Sequence, residues 1–177
     1  GYIDLHTVLR PNDKACAYAE TVVTADEERA LSLWLGNGGA AKVWWNGELV
    51  LEDETYRHAD PDRHVAMVGA HEGPNRIVVK SCTAAGSWGF YLRTGDRRGA
   101  PVVLETDLED PQEVEPGHAD VRLPDAPETP LEALEEAAEG EDAAADAIED
   151  LARFLLYTGA DDPTEHRARQ LAARAAE

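Results

Sequence analysis

Five residues with ligand chemistry crowd into one stretch of this sequence. His58, Asp60, Asp62, His64 and His71 fall within 14 residues. A metal centre needs imidazoles and carboxylates that converge on one point. The spacing here fits no zinc signature, and Asp60-Pro61-Asp62 reads as a turn. The group is therefore read as solvated loop and strand-edge residues, and no metal is assigned. The competing reading is calcium held by the Asp and Glu oxygens of 52–62. Cys16 and Cys82 are the two cysteines. They are read as separate buried thiols, with a disulfide as the alternative if the protein is exported. Cys82 has no His or Asn motif beside it, and no thiol nucleophile is assigned. The sequence holds no Gly-x-Ser-x-Gly elbow, no Gly-x-Gly-x-x-Gly and no Walker loop. Carboxylates are plentiful, but most lie in the second half, where no cleft to hold a glycosidase pair is expected. The chain is read as non-enzymatic, with no catalytic residues and no cofactor.

The tryptophans are the most informative side chains. Leu31, Leu33 and Leu35 alternate along one segment, so they share a face and Trp34 points the other way. In AKVWW (41–45), Val43 and Trp45 share one face, and Lys42 and Trp44 the other. With Val43 and Trp45 inward, Trp34 and Trp44 lie on the outer face of one hairpin. Two exposed indoles can stack on a sugar ring, which makes Trp34 and Trp44 the candidate ligand-binding residues. The competing reading covers them with a loop, the linker or the tail. Trp88 and Phe90 are expected in the core.

The elements that must position these residues read as strands. Candidates are Ala15–Val23, Leu31–Leu35, Ala41–Trp45, Glu48–Leu51, His64–Val68, Asn75–Lys80, Trp88–Arg93 and Pro101–Leu104. Asn46-Gly47 between apolar runs is a strong hairpin signal, because both residue types accept positive φ. No helical period separates the strands, so βαβ units are not expected. The fold class is mainly β, an antiparallel β-sandwich or jelly roll followed by an α-helical hairpin.

The order VWWNGELV (43–50), EGPNRIVVK (72–80) and SWGFYLR (87–93) resembles the jelly-roll accessory domain of β-galactosidase-like and β-glucuronidase-like glycoside hydrolases. It also resembles the version found in large bacterial proteins that join transglutaminase-like or peptidase-like regions to helical repeats. The likeness covers roughly residues 15–104. It implies a galactose-binding-like sandwich without an active site of its own. The catalytic barrel of those hydrolases has no counterpart here.

Beyond residue 106 the chain changes character. Residues 107–128 read as an acidic, Pro-rich linker, extended or partly disordered, with VRL (121–123) touching a neighbouring surface. Residues 129–177 read as a helical tail. Thr129-Pro130-Leu131-Glu132 has a cap, a proline at the first helical position and an acid at the third. Gly140 interrupts. A helix over Ala144–Thr158 carries Ile148, Leu151 and Leu155 on one stripe, with Phe154 beside it and Gly159 as its stop. Asp162-Pro163 starts the last helix, whose face holds Ala168, Leu171, Ala172 and Ala175. Residues 145–177 resemble a tetratricopeptide repeat, which implies further repeats stacked beyond Glu177.

Charge narrows the partners. The 177 residues carry a net −20. Residues 1–100 hold 11 basic and 14 acidic groups, and residues 101–177 hold 5 and 22. Such a chain is not a general nucleic-acid binder. It is not drawn to anionic lipid, and no apolar run long enough for membrane insertion exists. The acidity is read as a solubility device, with docking to a basic partner as the alternative. No signal peptide is visible, and the compartment stays open, an extracytoplasmic one included. The expected function is that of a non-catalytic structural and interaction module of a larger bacterial protein. Its partners are then proteins, either other domains of the same polypeptide or another chain. The alternative is a carbohydrate-binding module for an enzyme elsewhere.

Overall fold

The computed structural model describes residues 1–177 apart from 87, 107–112, 141, 159–161 and 177 and the side chains of 162 and 163. In chain order the elements are β1 (Tyr2–Asp4), α1 (Leu5–Val8), β2 (Ala15–Ala25), β3 (Arg29–Asn37), β4 (Ala41–Trp45), β5 (Glu48–Asp53), β6 (His64–Ala70), β7 (Gly73–Thr83), β8 (Gly89–Gly95), β9 (Pro101–Val102), β10 (Glu105–Thr106), α2 (Pro130–Ala137), α3 (Ala145–Thr158) and α4 (Asp162–Ala175). The protein is mainly β, with two antiparallel sheets and a C-terminal helical part. The first sheet runs β1-β8-β3-β6, with β9 also on β8, and the second runs β10-β2-β7-β4-β5.

Alternation explains which face of each strand turns inward. Leu31, Leu33 and Leu35 on β3 and Val43 and Trp45 on β4 are all buried. They join Val68, Ile77, Val79, Trp88 and Phe90 in one apolar core that takes side chains from both sheets. The buried indoles keep their polar ends satisfied, as burial demands. Trp45 Nε1–H donates to the Gly69 carbonyl across the core (3.0 Å), and Trp88 Nε1–H to Ser81 Oγ (3.2 Å). The two strands that alternation does not predict, β1 and β10, are short, and β10 (Glu-Thr) holds no apolar residue at all.

Strand β3 of the first sheet is covered on both faces. Ser32, Trp34 and Gly36, on the side of β3 away from the core, are buried as well. A Cβ on Gly36 would lie 1.8 Å from the Asp60 carbonyl oxygen, so only glycine lets the 57–63 segment lie against the strand. Residues 113–128 also cross the body of the protein as a strap. Gly117 N–H donates to the Asn46 carbonyl (2.9 Å), Ala119 N–H to the Gly69 carbonyl (3.2 Å), and Gly69 N–H to His118 Nδ1 (2.8 Å). Ala119 is buried, and a Cβ on Gly69 would come within 2.8 Å of its carbonyl oxygen.

The helices pack mainly on each other. Thr129 and Glu132 form a reciprocal capping box at the start of α2. The Ile148, Leu151 and Leu155 stripe of α3 meets Ala138 and Ala168 in a second small core, with Leu131, Leu134 and Leu171 at its edge. Gly159, the expected stop of α3, lies outside the described residues, as do the side chains of the expected cap Asp162-Pro163.

Candidate functional site

Trp34 and Trp44 do not share a face, contrary to the hairpin expected for them. Strand β3 belongs to the first sheet and β4 to the second, so the chain changes sheets at residues 38–40. Trp34 is 4% exposed. Its Nε1–H donates to Ser32 Oγ (2.9 Å), and the Arg93 guanidinium sits 4.4 Å from the ring centroid. Arg93 is held in turn by a two-pronged pair with Asp62 (2.7 and 2.8 Å) and by the Gly99 carbonyl (3.0 Å). Pro127, Thr129 and Pro130, at the head of the helical part, line the same cleft. A guanidinium stacked on an indole fills the place a sugar would need.

Trp44 lies on the open side of the second sheet, half-buried. Register sets two rungs there. One crosses Tyr18, Lys80, Lys42 and Glu52, and the next crosses Glu20, Val78, Trp44 and Leu49. The Tyr18 and Trp44 rings are 6.4 Å apart and tilted by 31°. Lys80 Nζ is 5.8 Å from the Tyr18 centroid, and Lys42 pairs with Glu52, whose hydrogen bond holds the Lys42 ammonium above its ordinary pKa. Tyr18 is 66% exposed and Leu49 48%. This face therefore offers aromatic and apolar surface between cations.

The same face carries the cysteines. They are neither separate nor buried: Cys16 and Cys82 form a disulfide, their Cα atoms 4.0 Å apart. The reason is register, since β2 and β7 pair over eleven residues with Cys16 directly opposite Cys82. Neither sulfur is a free thiol.

The His and Asp group disperses into separate tasks. Asp60 and His71 are buried rather than solvated. His58 is exposed, and Asp62 serves Arg93. His64 meets Asp53, a residue from the end of β5. Asp53 accepts from Asn37 Nδ2 (3.0 Å), Arg57 Nη1 (3.0 Å) and the Thr55 N–H (3.0 Å), with His64 Nε2 at 3.1 Å. Burial pushes this carboxyl up, but the hydrogen bonds from His64, Asn37 and Thr55 outweigh it and hold it well below the usual carboxylate range. Asp60 behaves in the opposite way. Burial raises its pKa, the nearby Arg63 and Arg57 oppose the rise, and neither carboxyl oxygen has a hydrogen bond. Arg63 Nη1 is 3.6 Å away. Among the described residues no three His, Cys, Asp or Glu side chains gather as a metal-ligand set. No described helix is long and apolar enough to cross a membrane.

A polar hub escapes the sequence reading altogether. Asn46 Nδ2–H donates to Asn75 Oδ1 (2.9 Å) and to the Gly117 carbonyl (3.1 Å), and Asn46 Oδ1 accepts from Arg76 N–H (2.7 Å). Asn75 Nδ2–H donates to the His71 and Gly73 carbonyls (2.8 and 3.0 Å). His71 completes the strap's seat, with Nε2 3.3 Å from the Gly117 carbonyl oxygen. The two asparagines sit in the segments 43–50 and 72–80 that stand out in the sequence. The Asn in each of those two segments is the available signal.

No protein-family model matches this chain, and no curated protein matches it. The solved structures similar in shape include the following two. One is a β-glucosidase from Kluyveromyces marxianus, with a TM-score of 0.40 and 12% identity over 46% of this chain and 11% of that one. The other is an anti-sigma factor domain-containing protein from Clostridium clariflavum, with a TM-score of 0.45 and 10% identity over 62% of this chain and 37% of that one. The chain thus spans about a third or less of either structure.

Proposed function

We propose that this chain is a non-catalytic structural and interaction module of a larger bacterial protein. In this reading the two sheets form a galactose-binding-like jelly roll, and the helices are a tetratricopeptide-like unit that binds protein partners. One observation carries it. Trp34, a large side chain on the outer face of the first sheet, is sealed by Arg93 and by the residues that lead into α2. A sheet built to end at residue 106 would have no use for a buried indole there, whereas a sheet built to carry helices in a fixed place would. The module acts by presenting rigid surface, with no covalent chemistry. The test is whether the parts melt together. Indole fluorescence reports the β part, whose strands hold Trp34, Trp44 and Trp45 and whose core holds Trp88, and far-ultraviolet circular dichroism reports the helices. Coincident thermal transitions are expected. Helices that melt well before the indoles change would refute a fixed arrangement.

The open Tyr18–Trp44 face favours a second reading, a carbohydrate-binding module. Titration with cell-wall and plant polysaccharides, followed by indole fluorescence, separates the two. A saturable change abolished by Trp44→Ala would promote carbohydrate, and a flat response across the panel from folded protein leaves the protein-interaction module ahead.

A further inference from the structure

The chain has 13 arginines against 36 carboxylates. Ten of the arginines spend their guanidinium on a carboxylate or a carbonyl oxygen. Among the described residues the other three, Arg97, Arg98 and Arg122, hold none. In so acidic a protein, unpaired guanidiniums scattered at random would each find a carboxylate within reach. Instead all three line one cleft of about 690 Å³, between the β2–β3 turn, the β8–β9 turn and the strap. Arg29 lines it too, and its Nε is buried without a hydrogen-bond partner while Nη2 holds Asp26 (3.1 Å).

The nearby acids do not cancel this wall. Asp96 is committed to its own turn, where its carboxylate accepts from the N–H groups of Arg98 (2.8 Å) and Ala100 (3.0 Å). That pair of bonds also fixes the backbone that carries Arg97 and Arg98. Glu27 and Glu28, on the β2–β3 turn, line the cleft as well, against four arginines. The volume suits a small molecule. Guanidinium forks match the oxygens of phosphate, which they bind two at a time.

We propose that this cleft binds a small organic phosphate. The phosphate meets Arg97, Arg98 and Arg122. The two glutamates repel a second anionic group, so the rest of the ligand is neutral or offers hydroxyl or amino donors to them. This site is separate from the Trp44 face, whereas Arg98 also lines the Trp34 cleft, so Arg122 is the residue that tests this site apart from the protein-interaction reading.

The test is isothermal titration calorimetry on the whole chain at low ionic strength, with glycerol 3-phosphate, inorganic pyrophosphate and glycerol as probes. Glycerol 3-phosphate is expected to bind saturably and glycerol not at all. Arg98→Gln and Arg122→Gln, on separate segments and both exposed, should each weaken binding at least about tenfold, the size of one charge-assisted contact. Lys42→Gln, on the far sheet, should leave it unchanged. Absence of saturable heat into the millimolar range would overturn the site. So would equal affinity in the Arg variants, or an equal loss in Lys42→Gln. Pyrophosphate binding tighter than glycerol 3-phosphate would overturn the single-phosphate ligand.

Discussion

Replacing Asn46 should cost several kcal/mol, because one side chain there joins three pieces of chain. Asn46→Ala removes the bonds to Asn75 Oδ1 and the Gly117 carbonyl and the one accepted from Arg76 N–H. At about 1 kcal/mol net for each bond, the loss is about 3 kcal/mol. The backbone adds to it. Asn46 has φ of +48°, followed by Gly47 at +88°. A residue with an ordinary Cβ pays about 1 kcal/mol to stay in that left-handed region, a cost that Asn offsets better than Ala. Asn46→Ala should therefore destabilise by about 4 kcal/mol, and Asn46→Gly by about 3 kcal/mol, since glycine loses the bonds without the strain. For a chain of this length that is a fall in Tm of roughly 8–16 °C for the alanine variant. Thermal unfolding by indole fluorescence measures both. Hydrogen exchange at the Gly117 and Ala119 amides adds a local check, because both should lose protection before the core amides do. A Tm of Asn46→Ala within about 3 °C of the parent would refute the hub. Equal losses for alanine and glycine would refute the backbone share of the argument.

Two further outcomes follow from other contacts. The Cys16–Cys82 disulfide closes 66 residues, so its reduction or Cys16→Ser should lower stability by about 4 kcal/mol in denaturant titrations with and without reductant, and no effect would refute the pairing. Asp53 and Asp60 should oppose each other in a pH–stability profile. Asp53 is depressed below its ordinary value, so its contribution is complete above about pH 4 and is lost as the pH falls further. Asp60 is raised, so its contribution is present below that pH and is lost as the pH rises through its folded value. At neutral pH Asp53→Asn should cost about 3 kcal/mol by stranding Arg57 and His64, while Asp60→Asn should cost nothing or stabilise. Two variants with the same profile would sink this assignment.

What was legible in the sequence was the direction of side chains along one strand. Leu31, Leu33 and Leu35, or Val43 and Trp45, declare an inner face because period two depends only on local geometry. Which strands lie beside each other depends on pairing between distant segments, and no local pattern carries it. This is why Trp34 and Trp44, each assigned to the side away from the core, end on different sheets. It is also why the pairing of Cys16 with Cys82 is only the alternative reading in the sequence, since the β2–β7 register alone sets them opposite. The cluster from His58 to His71 misled for a related reason. Its members are close in sequence, yet the partner that matters most, Asp53, lies outside the cluster, and Asp60 turns under Gly36. The capping box at Thr129 was readable because a cap is complete within four residues.

The strap also sets an order of events in time. Asn46 and Gly117 are 71 positions apart, and closing such a loop costs about 4 kcal/mol of chain entropy, repaid only when the seat for the strap exists. That seat is made of β4, β6 and β7, so strands must pair before the strap can dock. On a ribosome the last strand of the first sheet ends at Val102, and the residues that cover Trp34 extend to Ala133. At ordinary rates of synthesis the 31 intervening residues take about 2–6 s to emerge. For those seconds the nascent chain carries an assembled sheet whose indole is covered by Arg93 but not yet by residues 127–133, an interval in which it is open to sticking to a neighbour and in which a chaperone has a surface to hold.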